Sequence, residues 1–246
     1  MMKYATYILS AIAAYASLCA CANQSLETHF NDQEEDIADY ASAARFVQCE
    51  FIQSVDDEGN IHYTKETVDT IAPRITHMEM STRLTIISGS GAPLSESGTA
   101  TVYYAGYVFD SGPEWADFTR INLDGTGLVW LISTPYKTLN VQSSENGPVI
   151  SGSQSSSGLT MFATNHYATA SLSGWSLSDG DYSPVSISMS DKDIVAGLRD
   201  GLVGVRAGEV CDILFSGRYG FGKKPLGPIP ANSALLYRVW VESVSE

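Results

Sequence analysis

The stretch Asp193-Ile-Val-Ala-Gly-Leu-Arg-Asp-Gly-Leu-Val203 decides the architecture, because it is a helical period set among segments of period two. Val195, Leu198 and Leu202 fall on one side of it, and Gly204 is placed to end the helix. Beyond it Cys211, Ile213 and Phe215 alternate with their neighbours, as do Leu235, Tyr237, Val239 and Val241. Before it Val185, Ile187 and Met189 alternate with serines. Further upstream, Leu84 to Ile87 is a candidate strand, and Thr99 to Phe109 is another with Val102, Tyr104 and Val108 on one face. Several antiparallel strands with one short helix make an α+β fold, an antiparallel twisted sheet wrapped over that helix.

The 246 residues suit a single domain with additions. Apolar residues are 44% and charged residues 17%, enough for a core and against a wholly disordered chain. The formal net charge is −14. No stretch forms a basic patch, which argues against nucleic acid as a partner. After Ser190 basic and acidic residues balance at seven each, so the excess acid lies upstream.

The N-terminus reads as an export signal over residues 1–20. Lys3 supplies the positive charge, and Tyr7 to Leu18 is an apolar run too short to span a bilayer. Leu18-Cys-Ala-Cys21 resembles the bacterial lipobox, with Cys21 as the lipidated residue; an ordinary signal peptide cut nearby is the alternative. That resemblance implies a lipid-anchored protein of the bacterial cell envelope, at the outer membrane, with the membrane as a partner. Cys49 and Cys211 then remain; an oxidising compartment permits one bridge between them, while Cys211 in its alternating strand reads as a buried small hydrophobe. Residues 21–83 form an acidic tether and N-terminal extension. Residues 22–44 carry six acids and no Lys or Arg, and Asp36 to Val47 is patterned for a helix. Asp57-Glu-Gly-Asn60 is a turn signal between two short mixed runs.

With the strands and helix in order, a family resemblance rests on specific residues. Tyr219-Gly-Phe-Gly222, Ile229-Pro230 and Ala234-Leu-Leu-Tyr-Arg-Val-Trp240 resemble the C-terminal half of FKBP-type prolyl isomerases. Ile194 to Leu202 resembles that family's pocket-floor helix, Val102-Tyr-Tyr-Ala-Gly106 its first pocket strand, and Met161-Phe-Ala-Thr-Asn165 the segment where it usually has Phe-Asp. The resemblance covers about 84–109 and 159–246, so residues 84–246 read as one FKBP-like domain interrupted by an insertion at about 110–158. The insertion carries Trp115, Phe118, Trp130 and Tyr136 and ends in a Ser/Gly run. The whole is similar to a Bacteroides-like envelope lipoprotein with a large insertion.

The resemblance implies Tyr104, Phe162, Phe221 and Tyr237 as catalytic residues. It implies Val185, Ile194, Val195, Leu198 and Ile229 as substrate-binding residues, with the backbone N–H groups of Val195 and Ile229 as polar handles. The partners it implies are proline-containing polypeptide segments. Three departures point to weakened activity: Ala163 where the family has an aspartate, Leu198 where it commonly has a tryptophan floor, and Phe221 where a tyrosine hydroxyl donates. The expected function is therefore a peptidyl-prolyl cis-trans isomerase or folding helper of the envelope. The alternative is a non-catalytic module holding a protein partner through the cleft or the insertion. His29, His62, His77 and His166 lack metal-ligand spacing, and no nucleophile elbow or phosphate loop is present, so neither a metal nor a cofactor is expected.

Overall fold

Successive side chains of an extended strand point to opposite faces, and along residues 210–215 both faces are buried. The computed structural model describes residues 25–44, 46–110, 128–133, 139–142, 149–152, 159–166, 169–170 and 181–246. Cys21 and the export segment lie outside the described residues, as do Trp115, Phe118 and Tyr136. The strands are β1 (Phe46–Val55), β2 (Ile61–Ile71), β3 (Arg74–His77), β4 (Thr82–Ile87), β5 (Thr99–Phe109) and β6 (Leu128–Ser133). They continue with β7 (Leu139–Gln142), β8 (Val149–Gly152), β9 (Leu159–Thr164), β10 (Val185–Ser188), β11 (Val210–Phe215) and β12 (Ala234–Ser245). Helix α1 covers residues 25–43 and α2 is Ala196–Leu202.

The main sheet runs β10-β5-β12-β11-β4-β3, with β9 also on β5, and every pairing is antiparallel. β10 and β9 share one edge of β5: β10 pairs Thr99 to Val102, and β9 pairs Ala105 to Phe109. This is the FKBP-like arrangement expected, a twisted antiparallel sheet over one short helix with a further helix at the N-terminus.

Helix α2 lies close against β11 because two of its glycines face that strand. A Cβ on Gly197 would lie 2.2 Å from Phe215 Cγ, and one on Gly201 would lie 2.2 Å from Ile213 Cγ2. Glycine inside a helix costs about 1 kcal/mol relative to alanine; here that cost admits direct helix–strand contact. Leu198 and Leu202 are buried, and Gly204 takes φ +81° where the helix ends. Arg83 Nη1 donates to the carbonyls of Gly201 (2.9 Å) and Val203 (2.7 Å), satisfying groups that the helix leaves open.

The opposite face carries α1. Ile37, Tyr40, Ala41 and Ala44 pack with Leu84, Leu214, Leu236 and Trp240, and the Tyr40 ring meets Phe109 edge-on at 5.5 Å. Also buried in the sheet, Arg238 donates to Asp212 at 2.6 and 2.7 Å, directly across β11 and β12, with both side chains fully buried. Cys211 is a free, fully buried thiol, pushed above its ordinary pKa by burial.

Two expectations for the N-terminal part need correction. The helix does not occupy Asp36 to Val47; it covers 25–43, and Val47 belongs to β1. The acidic stretch is thus docked on the sheet instead of lying free as a tether. Gln33 Oε1 accepts from Gly217 N (2.8 Å), and its Nε2 donates to Asn232 O (2.9 Å). Arg218 pairs with Glu27 (2.9 Å) and Glu34 (3.3 Å) and lies 5.4 Å from the Phe30 ring centroid. The two short mixed runs on either side of the Asp57 to Asn60 turn signal form the β1–β2 hairpin, and β6 from the inserted segment pairs with β1 to make a three-stranded sheet. The Asp57 to Asn60 turn is held by Asp56, which accepts from the backbone N–H groups of Glu58 and Asn60 and from His62 Nε2 at 2.8 Å.

Candidate functional site

Four strands (β5, β9, β10 and β12), α2 and the loop between β11 and β12 converge on an apolar cavity of about 500 Å³. A small-ligand site is typically about 300–1,000 Å³. Strand alternation puts Val102 and Tyr104 of β5, and Tyr237 and Val239 of β12, on the same face. Phe162 arrives from β9, Leu198 from α2, and Phe221, Leu226 and Ile229 from the loop. None of the described lining residues is charged.

Tyr237 stands at the centre of the aromatic wall. Its ring centroid lies 6.2 Å from that of Tyr104, 5.7 Å from Phe162 in an edge-on contact, and 6.0 Å from Phe215 in a stack. Burial, then the neighbouring Tyr104, pushes its hydroxyl above the ordinary tyrosine range, so it remains a proton donor at physiological pH. Phe162 reaches the cavity by lying across β5 where Gly106 has no side chain: a Cβ there would come within 2.6 Å of Phe162 Cζ. Leu198 is buried beneath, and Phe221 stands partly exposed at the rim.

The backbone of Tyr104 is fixed by residues that sequence reasoning quoted but did not assign. Asn165 is buried; its Oδ1 accepts from Tyr104 N at 2.6 Å, and its Nδ2 donates to Ser183 O at 2.9 Å. Thr164 Oγ1 donates to Tyr104 O at 2.7 Å. A polar pair directly after the apolar Met161-Phe-Ala163 run was the signal for this role.

The structure gathers Tyr104, Phe162, Leu198, Phe221, Ile229 and Tyr237 around one cavity. Val185, Ile194 and Val195 do not line it. Val185 is exposed on the edge strand β10, and Ile194 and Val195 pack against the core just before α2. The Ile229 N–H is not a free handle, since it donates to Leu226 O at 3.0 Å within the loop's own turn. The Val195 N–H makes no hydrogen bond among the described residues. Ala163 lines the cavity, so the carboxylate expected at that position is absent from the wall. At Phe221 the missing hydroxyl does not strip the site of phenols: Tyr104 and Tyr237 line it, and Tyr219 packs against the same core. Among the described residues no cluster of His, Cys, Asp or Glu could hold a metal ion.

Residues 155–242 match the model of the family described as FKBP-type peptidyl-prolyl cis-trans isomerase. The match covers 88 of the 246 residues. Phe162, Leu198, Phe221, Ile229 and Tyr237 lie inside the match, and Tyr104 lies before it. Among solved structures, the chain is similar to the N-terminal domain of FKBP42 from Arabidopsis thaliana, at 16% identity and a TM-score of 0.39, over 76% of this chain and 100% of that one. FkpA from Escherichia coli matches at 14% identity and TM-score 0.38, over 96% of this chain and 70% of that one. A peptidyl-prolyl cis-trans isomerase from Pseudomonas syringae pv. tomato matches at 11% identity and TM-score 0.36, over 70% and 81%. No curated protein matches the chain.

Proposed function

We propose that the protein is a peptidyl-prolyl cis-trans isomerase acting as a folding helper, with weakened activity, and that the apolar cavity is its active site. The observation that carries this reading is the uncharged, aromatic-walled cavity built on the FKBP-type segment. Rotation about an X-Pro bond meets a barrier of about 18–20 kcal/mol because the amide is resonant. Resonance puts charge on the carbonyl oxygen, which water stabilises in the planar state. An apolar pocket that takes the proline ring and strips that water favours the twisted state instead. Tyr104, Phe162 and Tyr237 would grip the ring above Leu198, and the protonated Tyr237 is a donor available to a carbonyl oxygen.

The test is a proline-peptide isomerisation assay on the full protein. Catalysed relaxation that Tyr237→Ala abolishes is the expected result. Restoring a carboxylate with Ala163→Asp should raise kcat/KM if its loss weakens the site. The second reading, a module that binds proline segments without turning them over, is favoured by Ala163 and Leu198; binding with no catalysis would establish it.

For placement, we propose a lipid anchor at Cys21 and a role in the bacterial cell envelope, at the outer membrane, resting on the apolar run and the cysteine that ends it. Among the described residues no helix is long and apolar enough to cross a membrane. Cys21→Ser should then release the protein from the membrane fraction. Wild-type protein found wholly soluble would refute the anchor.

A further inference from the structure

We infer that the pocket prefers proline segments carrying an acidic side chain next to the proline, and that Lys223 and Lys224 impose this preference; the inference rests on the isomerase reading above. Both lysines are exposed and stand between two lining residues of the loop, Phe221 and Leu226, which are 36% and 54% exposed. The loop is pinned on either side of them. Asn232 N donates to Gly222 O at 2.8 Å, and Leu226 and Ile229 exchange backbone hydrogen bonds of 2.9 and 3.0 Å around Gly227 at φ +56°. Consecutive Cα atoms are about 3.8 Å apart, so each ammonium is tethered within a side chain's reach of the rim.

Other cations beside lining residues are already committed. Arg238, flanked by Tyr237 and Val239, is buried against Asp212. Arg199, next to Leu198, donates to the carbonyls of Asp191 (2.8 Å) and Ile194 (3.0 Å). Lys223 and Lys224 form no ion pair among the described residues. The chain as a whole is acidic, at −14, so its distant field opposes acidic ligands. That field is screened beyond about 8 Å at physiological ionic strength. With the proline ring in the cavity, its neighbours in the peptide emerge at the rim, where the two lysines are the nearest uncommitted charges supplied by the loop. Phe221 and Leu226 accept the apolar part of such a neighbour, and the ammonium groups its carboxylate.

The test uses the full protein and four peptides, with Glu, Lys or Ala beside the proline, or with Glu moved about six residues away, roughly 20 Å along an extended chain. Adjacent Glu should give a kcat/KM about threefold to tenfold above adjacent Lys, the scale of two exposed ion pairs. The ratio should shrink at about 0.5 M salt, where the Debye length is near 4 Å. Distant Glu, at the same peptide charge, should lose the advantage. In Lys223→Glu/Lys224→Glu the Glu-to-Lys ratio should invert, and in Lys223→Gln/Lys224→Gln it should vanish. Equal turnover of the adjacent Glu and Lys peptides, or an advantage that survives moving the Glu away, overturns the inference alone. A protein that turns over none of the four overturns the isomerase reading, and the inference falls with it.

Discussion

The two faces of the main sheet are covered by helices of very different length. On one side α1, residues 25–43, spans about 28 Å at 1.5 Å per residue and closes the apolar surface beneath it. On the other side α2 has 7 residues, about 10 Å, and cannot cover strands as long as β5 and β12. The apolar surface that α2 leaves uncovered, from Tyr104 to Phe162 and Tyr237, is the cavity wall. A pocket arises here because a helix is short, with no residue having to be removed from a packed core. The glycines of α2 sharpen the effect, since they let the helix close directly onto the Phe215 and Ile213 side chains of β11.

The comparison can be broken most severely at the buried ion pair. Asp212→Ala leaves the Arg238 guanidinium buried without its carboxylate and should cost about 3–5 kcal/mol in urea unfolding. Replacing both partners by apolar residues, Asp212→Leu with Arg238→Met, should cost far less; a loss under about 1 kcal/mol for Asp212→Ala would show that the charge escapes to water. Next is α2. Gly201→Ala should destabilise by about 1–3 kcal/mol through overpacking against Ile213, although the same change in an exposed helix would stabilise. Ile213→Ala should cost less in the Gly201→Ala background than alone, and the peptide KM should rise as Leu198 shifts with the helix. Smaller again is the latch on α1. Arg218→Ala should cost about 1 kcal/mol or less, because Glu27 and Glu34 are well exposed. Its signature is faster amide exchange in α1 with the pocket-side strands unchanged. The smallest effect belongs to the β1–β2 turn. Hydrogen bonds from His62 and then Asn60 hold the Asp56 carboxyl below its ordinary pKa of 3.8. Its contribution is therefore fully present above that value and lost as pH falls below it, visible as fraying of the hairpin near acid pH that Asp56→Asn makes independent of pH.

Legibility in the sequence followed the physics of period. β5, β11 and β12 were readable because each is buried on at least one regular face, β10 kept its alternation although Val185 is exposed, and α2 was readable from Val195, Leu198 and Leu202. β1 and β2 carry mixed runs such as His62-Tyr-Thr-Lys-Glu66, where no alternation survives. The α1 boundary was misjudged because Ile37, Tyr40 and Ala44 continue in phase to Val47. The phase ignores β-branched Val47 and aromatic Phe46, which favour the strand that follows. The lining of the cavity was legible where side chains carry it, at Tyr104, Phe162 and Tyr237. It was not legible where backbone geometry decides: the engaged Ile229 N–H and the Asn165 bracket around Tyr104 exist only once the chain is folded.

The pairing of Phe109 with Leu159 has a further consequence for how such a chain can be built and rebuilt. The last residue of β5 and the first of β9 are direct partners, about 5 Å apart as antiparallel neighbours are. Any sequence spliced between them starts and finishes at one spot on the rim of the sheet, and the closure entropy it adds grows only as the logarithm of its length. That spot is a socket. Loops, reporter tags or whole foreign modules inserted there would hang from two adjacent points without straining β5. Replacing 112–156 by a short turn should in the same way leave the FKBP-like sheet able to fold, with β1 losing β6 as its neighbour.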